Sequence, residues 1–250
     1  MTKIKSLNLS PSFLSKLYDK GYDYAVGEKL GLIKKDTKSM ADGRLLHGLL
    51  SERLGGEKVK IAISTFENFR TKEARNWRDS QPDDVAILSE SKMQELNTIV
   101  DRVLNHENLI KYLSLPAMPE KTYEKQTNGF NVKGILDLTV ADGEIKTVFD
   151  WKFCSSKVFD KFTKEALYSH YDLQASVYDF LAEPNNIYFV AIENEAPYRI
   201  KVFHCDSSFL DSGAIKFDKA FQILQEANWR QPNFNIQDIG ELMSWENYNG

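Results

Sequence analysis

Asp137, Asp150 and Lys152 can form a metal site with an adjacent ammonium if the strands that carry them fold into a hairpin. Lys133–Val140 and Ile145–Phe153 both read as strands, and Asp142-Gly143 between them is a strong two-residue turn signal. A turn centred there sets Ala141 opposite Glu144 and Asp137 opposite Val148, with Asp150 diagonal to Asp137. Lys152 then follows two residues along the same face. Diagonal neighbours are roughly 7–8 Å apart, so the two carboxylates can converge on one cation. Two half-buried carboxylates this close repel each other unless a positive charge lies between them. A divalent metal meets that need, and the ammonium of Lys152 assists. The arrangement reads as catalytic.

The elements that must position these residues follow from the rest of the chain. Ser10-Pro11 is a helix start, and Phe13, Leu14, Leu17 and Tyr18 continue at helical spacing. Further helices are expected over Met40–Leu54, which ends at Gly55-Gly56, and around Lys72–Arg78 and Lys92–Asn105. Pro116 and Pro119 mark a boundary. Beyond it come strands at Lys121–Gln126 and in the hairpin, a helix near Tyr171–Leu181, a buried strand at Ile187–Ile192, a strand at Tyr198–Cys205 and a helix at Ala214–Glu226. This order predicts an α/β or α+β fold. One domain over residues 1–250 is expected, with a helix-rich N-terminal portion (about 8–115) and an α/β core (about 120–230).

Composition narrows the classes. A chain of 250 residues buries a sizeable core. It has neither an apolar leader nor a run of about 18 apolar residues, so no membrane association is expected. Two cysteines, Cys154 and Cys205, are too few for a disulfide framework or for an iron–sulfur cluster, which points to a reducing cytoplasm. The net charge of −4 neither supports nor excludes a nucleic-acid partner, because binding depends on local patches.

A lone Asp-x-Lys on an exposed strand is usually only a solvated face. Here Ile135, Leu136, Leu138, Val148, Phe149 and Trp151 mark the hairpin as core, where aspartates need partners. Glu124, then Gly134-Ile-Leu-Asp137, then Asp150-Trp-Lys152, then Gln174-Ala-Ser-Val-Tyr178 together resemble the PD-(D/E)xK nuclease superfamily. More closely they resemble phage-recombination exonucleases of the RecE, lambda-exonuclease and YqaJ-like type. Met40 to Leu50, Tyr168 to Gln174 and Ala196 to Phe203 are also similar to the RecE-type pattern. The resemblance spans roughly residues 8 to 230 and implies a restriction-endonuclease-like core, a mixed sheet flanked by helices.

His47 shares a helix face with Gly43, Leu50 and Leu54, where a histidine is more often a satisfied core residue than a ligand. The resemblance implies that His47 joins Asp137, Asp150 and the carbonyl of Phe153 around Mg²⁺, with Mn²⁺ as substitute. Glu124 reads by itself as a surface carboxylate, and by resemblance as an acid that reaches the metal or its water. Lys152 would orient the attacking water and stabilise transition-state charge. Gln174 and Tyr178 are adjacent on one helix face. They are either surface packing or, by resemblance, supports of the catalytic residues or the DNA strand. Arg70, Arg75 and Arg78, in a basic and aromatic run, and Lys157, Lys161 and Lys164 are candidate DNA contacts, although most such runs are solvated faces.

By resemblance, the expected activity is a Mg²⁺-dependent 5′→3′ exodeoxyribonuclease on linear double-stranded DNA ends, leaving 3′ single-stranded overhangs. The same resemblance implies a homo-oligomeric ring, trimer or tetramer, and a single-strand annealing protein as partner, in the cytoplasm of a bacterial host cell. A structure-specific or Cas4-like endonuclease and a catalytically idle DNA-end-binding protein remain as alternatives.

Overall fold

A computed structural model describes residues 8–33, 38–66, 68–228 and 230–233. The single-domain expectation over 1–250 therefore reaches residues outside the described set. The centre is a five-stranded sheet in the order β3-β4-β5-β6-β7, formed by Ala117–Thr127, Phe130–Asp142, Ile145–Cys154, Asn186–Glu193 and Ile200–His204. The β5–β6 pair is parallel and the other three are antiparallel, so the sheet is mixed. β5 is buried along most of its length, as a central strand covered on both faces must be.

Helices cover both faces. On one side, α2 (Lys38–Arg53) and α4 (Glu90–Leu104) pack Leu46, Leu50, Leu96 and Val100 against Leu138, Phe149, Trp151 and Val190. On the other, α8 (Tyr171–Ala182) packs Ala175 and Tyr178 against Val148, Phe189 and Ala191. Two more helices, α1 (Pro11–Lys29) and α9 (Ser207–Ala227), pack on α8 and the start of β4. The expected mixed sheet flanked by helices is observed.

The hairpin differs from expectation in one respect. Asp142 pairs with Ile145, so the turn is Gly143-Glu144 rather than Asp142-Gly143. Gly143 has φ +60°, which suits a turn whose first central residue lies on the left-handed side. The pairing moves by two positions, an even number, so the facing residues stay on the same side. Other elements left no strong pattern in the sequence. β1 (Ile61–Ser64) and β2 (Ala86–Ser89) form a short parallel pair joined through α3 (Lys72–Asp79), and α5 (Ile110–Leu113), α6 (Ser156–Phe159) and α7 (Phe162–Tyr168) are single turns or little more. Helix α9 starts seven residues earlier than expected, because Asp206 caps it by accepting from the Phe209 N–H at 2.9 Å.

Candidate active site

The strands β4 and β5 part at the two aspartates. Their ladder runs from Asp142–Ile145 to Leu138–Phe149. Just past it, the Trp151 N–H donates not to a backbone carbonyl but to Asp137 Oδ2 at 2.9 Å. Strand β4 also changes face here: Leu136 packs with Val148 and Phe189, whereas Leu138 packs with Phe149 and Trp151 on the opposite side. Regular alternation would place both leucines on one face. The change of face holds Asp137 in the opening between the strands.

Asp150 is almost fully buried, at 1% exposure. Its Oδ2 accepts from Tyr178 Oη and Gln174 Nε2, each at 2.8 Å. Lys152 Nζ pairs with Oδ1 at 2.5 Å, and no other donor reaches that oxygen among the described residues. Burial raises the pKa of Asp150 while the Lys152 ammonium opposes that rise and the Asp137 charge adds to it. Burial works against charge on Lys152, but Asp150 and Asp137 outweigh it and hold its pKa above the usual value. Lys152 is therefore an ammonium, fixed further by Gln174 Oε1 at 2.8 Å and by the faces of Tyr171 and Phe189 at 4.4 and 5.2 Å.

His47 is brought to this group from α2. Its Nδ1 lies 3.2 Å from Asp137 Oδ2, and its ring meets the Phe153 ring edge-on with centroids 5.3 Å apart. Burial opposes protonation of His47, but Asp137 more than offsets it and the pKa is raised. An Asp42–Lys92 ion pair at 3.2 Å ties α2 to α4. Four elements, α2, β4, β5 and α8, thus bring His47, Asp137, Asp150, Lys152, Gln174 and Tyr178 together.

Glu124 is not among them. It pairs with Lys133 across the β3–β4 ladder, and Lys133 Nζ holds its carboxylate at 2.6 Å. Lys133 precedes Asp137 by four strand residues, roughly 13 Å. Arg70, Arg75 and Arg78 are exposed on or before α3, and no described contact joins them to the cluster. Arg75 bonds the Arg70 carbonyl at 2.8 Å, while Arg78 pairs with Asp79 at 2.8 Å. Lys157, Lys161 and Lys164 are exposed just after β5, and none has a carboxylate partner among the described residues. Sequence reasoning did not assign Tyr171 a role. Its place one helical turn before Gln174 was the available signal.

Residues 15–232 match the PDDEXK-like domain of unknown function DUF3799. The chain belongs to that family. The superfamily resemblance drawn from the motifs is borne out. A crystal structure of a presumed exonuclease from Eubacterium rectale is similar, with a TM-score of 0.61 at 14% identity over 91% of this chain and 83% of that one. A phage-related exonuclease from Haemophilus somnus 129PT gives 0.37 at 14% identity, covering 88% and 95%. At such identities the first likeness shows the fold alone, and the second carries no weight beyond its mention. No curated protein matches the chain.

The PDDEXK-like fold implies a divalent metal. Among the described residues, no three His, Cys, Asp or Glu side chains form a ready-made cage. Mg²⁺ does not require one, since it keeps several waters and takes one or two carboxylates together with substrate phosphates. Asp150 Oδ1, buried and paired only with the Lys152 ammonium, is a hard oxygen ligand beside a fixed positive charge. With Asp137 and the His47 imidazole beside it, the residues fit the group.

Proposed function

We propose that this PDDEXK-like protein is a metal-dependent nuclease that hydrolyses DNA from the ends of linear duplexes in the 5′→3′ direction. The observation that carries the reading is the shared anchoring of Asp150 and Lys152 by Gln174, whose amide donates to one and accepts from the other. Only a fixed rotamer of Gln174 does both, so the acid and the ammonium are held in mutual register.

Asp137, Asp150 and His47, with the Phe153 carbonyl, would hold Mg²⁺ or Mn²⁺. A divalent cation there supplies Lewis-acid polarisation of the phosphate and lowers the pKa of a water. Lys152, held as an ammonium, donates rather than accepts: it orients the attacking water and neutralises charge as it develops on the phosphate oxygens. Gln174 and Tyr178 donate to one oxygen of Asp150 and keep the carboxyl group aimed despite its burial. Lys157 and Lys161 supply cations for the phosphate backbone beside the site. The 3′ overhangs such an enzyme leaves are substrates for a single-strand annealing protein, and a ring of three or four copies would retain the duplex.

The test is digestion of a linear duplex labelled separately at each 5′ and 3′ end, with closed circular DNA alongside. Early release of 5′ label with intact circles supports the proposal. Cut circles would indicate an endonuclease, and binding without cleavage an idle end-binding protein.

A further inference from the structure

The short helix α7 lies between the strand that carries Asp150 and Lys152 and the helix that carries Gln174 and Tyr178. Lys164 and Tyr168, four positions apart, share one face of it, and Lys161 stands at its N-cap. That face is open to solvent. Both lysines are exposed and lack a carboxylate partner among the described residues, whereas Lys60, Lys92, Lys125, Lys133 and Lys216 each have one. Tyr168 is 80% exposed, the highest value among the exposed large apolar and aromatic side chains of the described residues. Its ring is thereby open to stacking by a nucleic-acid base.

The opposite side of the helix joins this face to the chemistry. Phe162 packs on Tyr171 with centroids 6.0 Å apart, and the Tyr171 ring holds Lys152 Nζ at 4.4 Å. The stripe is thus on the outer face of a helix whose inner face reaches the ammonium through two aromatic rings, Phe162 and Tyr171. Cations next to a stacking ring suit an unpaired strand, because a base can lie on a tyrosine face only when it has left its partner. A duplex would use the lysines and leave the ring unused.

We infer that the exposed face of α7 that carries Lys164 and Tyr168, with Lys161 at its N-cap, binds single-stranded DNA on the outer side of the helix that flanks the active site, its phosphates on the lysines and one base stacked on Tyr168. The inference rests on the nuclease reading above and adds to it the state of the strand. It is tested by binding a fluorescein-labelled oligothymidylate and a blunt hairpin duplex in EDTA, where nothing is cleaved. Tyr168→Ala is expected to weaken oligothymidylate binding by roughly 5- to 100-fold, and duplex binding far less, while Tyr168→Phe restores it. Lys161→Gln with Lys164→Gln is expected to reduce the salt slope on the single strand by about 1.4. Equal affinities of Tyr168→Ala and wild type, or equal losses on both DNAs, would overturn the inference. So would sedimentation showing that Tyr168→Ala dissociates an assembly, which would assign the ring to contact between copies. Failure of metal-dependent cleavage with this binding pattern intact would remove the nuclease reading alone.

Discussion

Tyr178 donates a 2.8 Å hydrogen bond to Asp150 Oδ2 from four residues beyond Gln174, whose amide nitrogen bonds the same oxygen. The two donors come from one face of α8 and meet a carboxylate that is otherwise sealed from water. Hydrogen bonds to charged groups are worth about 1.5–3 kcal/mol each. They offset part of the cost of burying Asp150 and leave its other oxygen to the Lys152 ammonium.

Tyr178→Phe removes one of these donors without changing shape. We expect the fold to persist, Mn²⁺ affinity by calorimetry to fall, and turnover to drop by roughly 10-fold. Gln174→Ala should cost more, because it releases Lys152 as well as Asp150. A Gln174→Ala protein that matches Tyr178→Phe in turnover would contradict the double role of the amide.

Salt dependence separates the two basic runs. Replacing Lys157, Lys161 and Lys164 by glutamine should lower the slope of log affinity against log salt on duplex DNA by up to about 0.9 for each phosphate contact removed. The same change at Arg70, Arg75 and Arg78 should leave the slope nearly as it was, since Arg75 and Arg78 are already engaged with their own segment. A larger loss from the arginines would place the DNA across α3 instead.

Acid stability should report on Glu193. This carboxylate is buried at the end of β6, and the Arg199 guanidinium at 2.8 and 2.9 Å holds its pKa down at about 2. The folded value is below the unfolded value of about 4.3, so its stabilisation is present above that pH and is lost as pH falls toward 2. Glu193→Gln should melt lower than wild type at neutral pH, with the gap narrowing between about pH 4 and 2. A gap that stays constant across that range would dissociate the ion pair from acid unfolding.

Close packing of α8 on α9 makes Gly213 a sensitive point. A Cβ there would fall 2.0 Å from the Asp172 carbonyl oxygen, which is backbone and cannot swing aside. Gly213→Ala should cost about 1–3 kcal/mol or more. In a chain of this size that lowers Tm by roughly 2–4 °C per kcal/mol. An unchanged melting temperature would show that the helices separate readily.

Much of the site was legible because it depends on periodicity. Alternation sets Asp150 and Lys152 on one strand face and helical spacing sets Gln174 beside Tyr178, whereas their meeting with Asp137 and His47 at one site was what the nuclease resemblance implied. An error of one residue in placing the turn was harmless, since it shifts the pairing by two positions and leaves the residues of the ladder on their expected faces. Glu124 reads otherwise because its partner, Lys133, is set by strand register beyond the hairpin, which a turn signal cannot reveal. The change of face at Asp137 and the donation from Trp151 depend on where two strands diverge, a property of the whole sheet. The β1–β2 pair was missed because four-residue strands carry too few positions to show a period.

Lys152 is the residue on which the account turns. The decisive measurement is the hydrolysis rate of a linear duplex by wild type and Lys152→Ala, each with Mg²⁺ and with EDTA, after circular dichroism has confirmed that both are folded. The account predicts cleavage by wild type only with the metal, and a rate lower by roughly 100-fold or more in the variant. Near-normal cleavage by folded Lys152→Ala, or wild-type cleavage undiminished in EDTA, would contradict it.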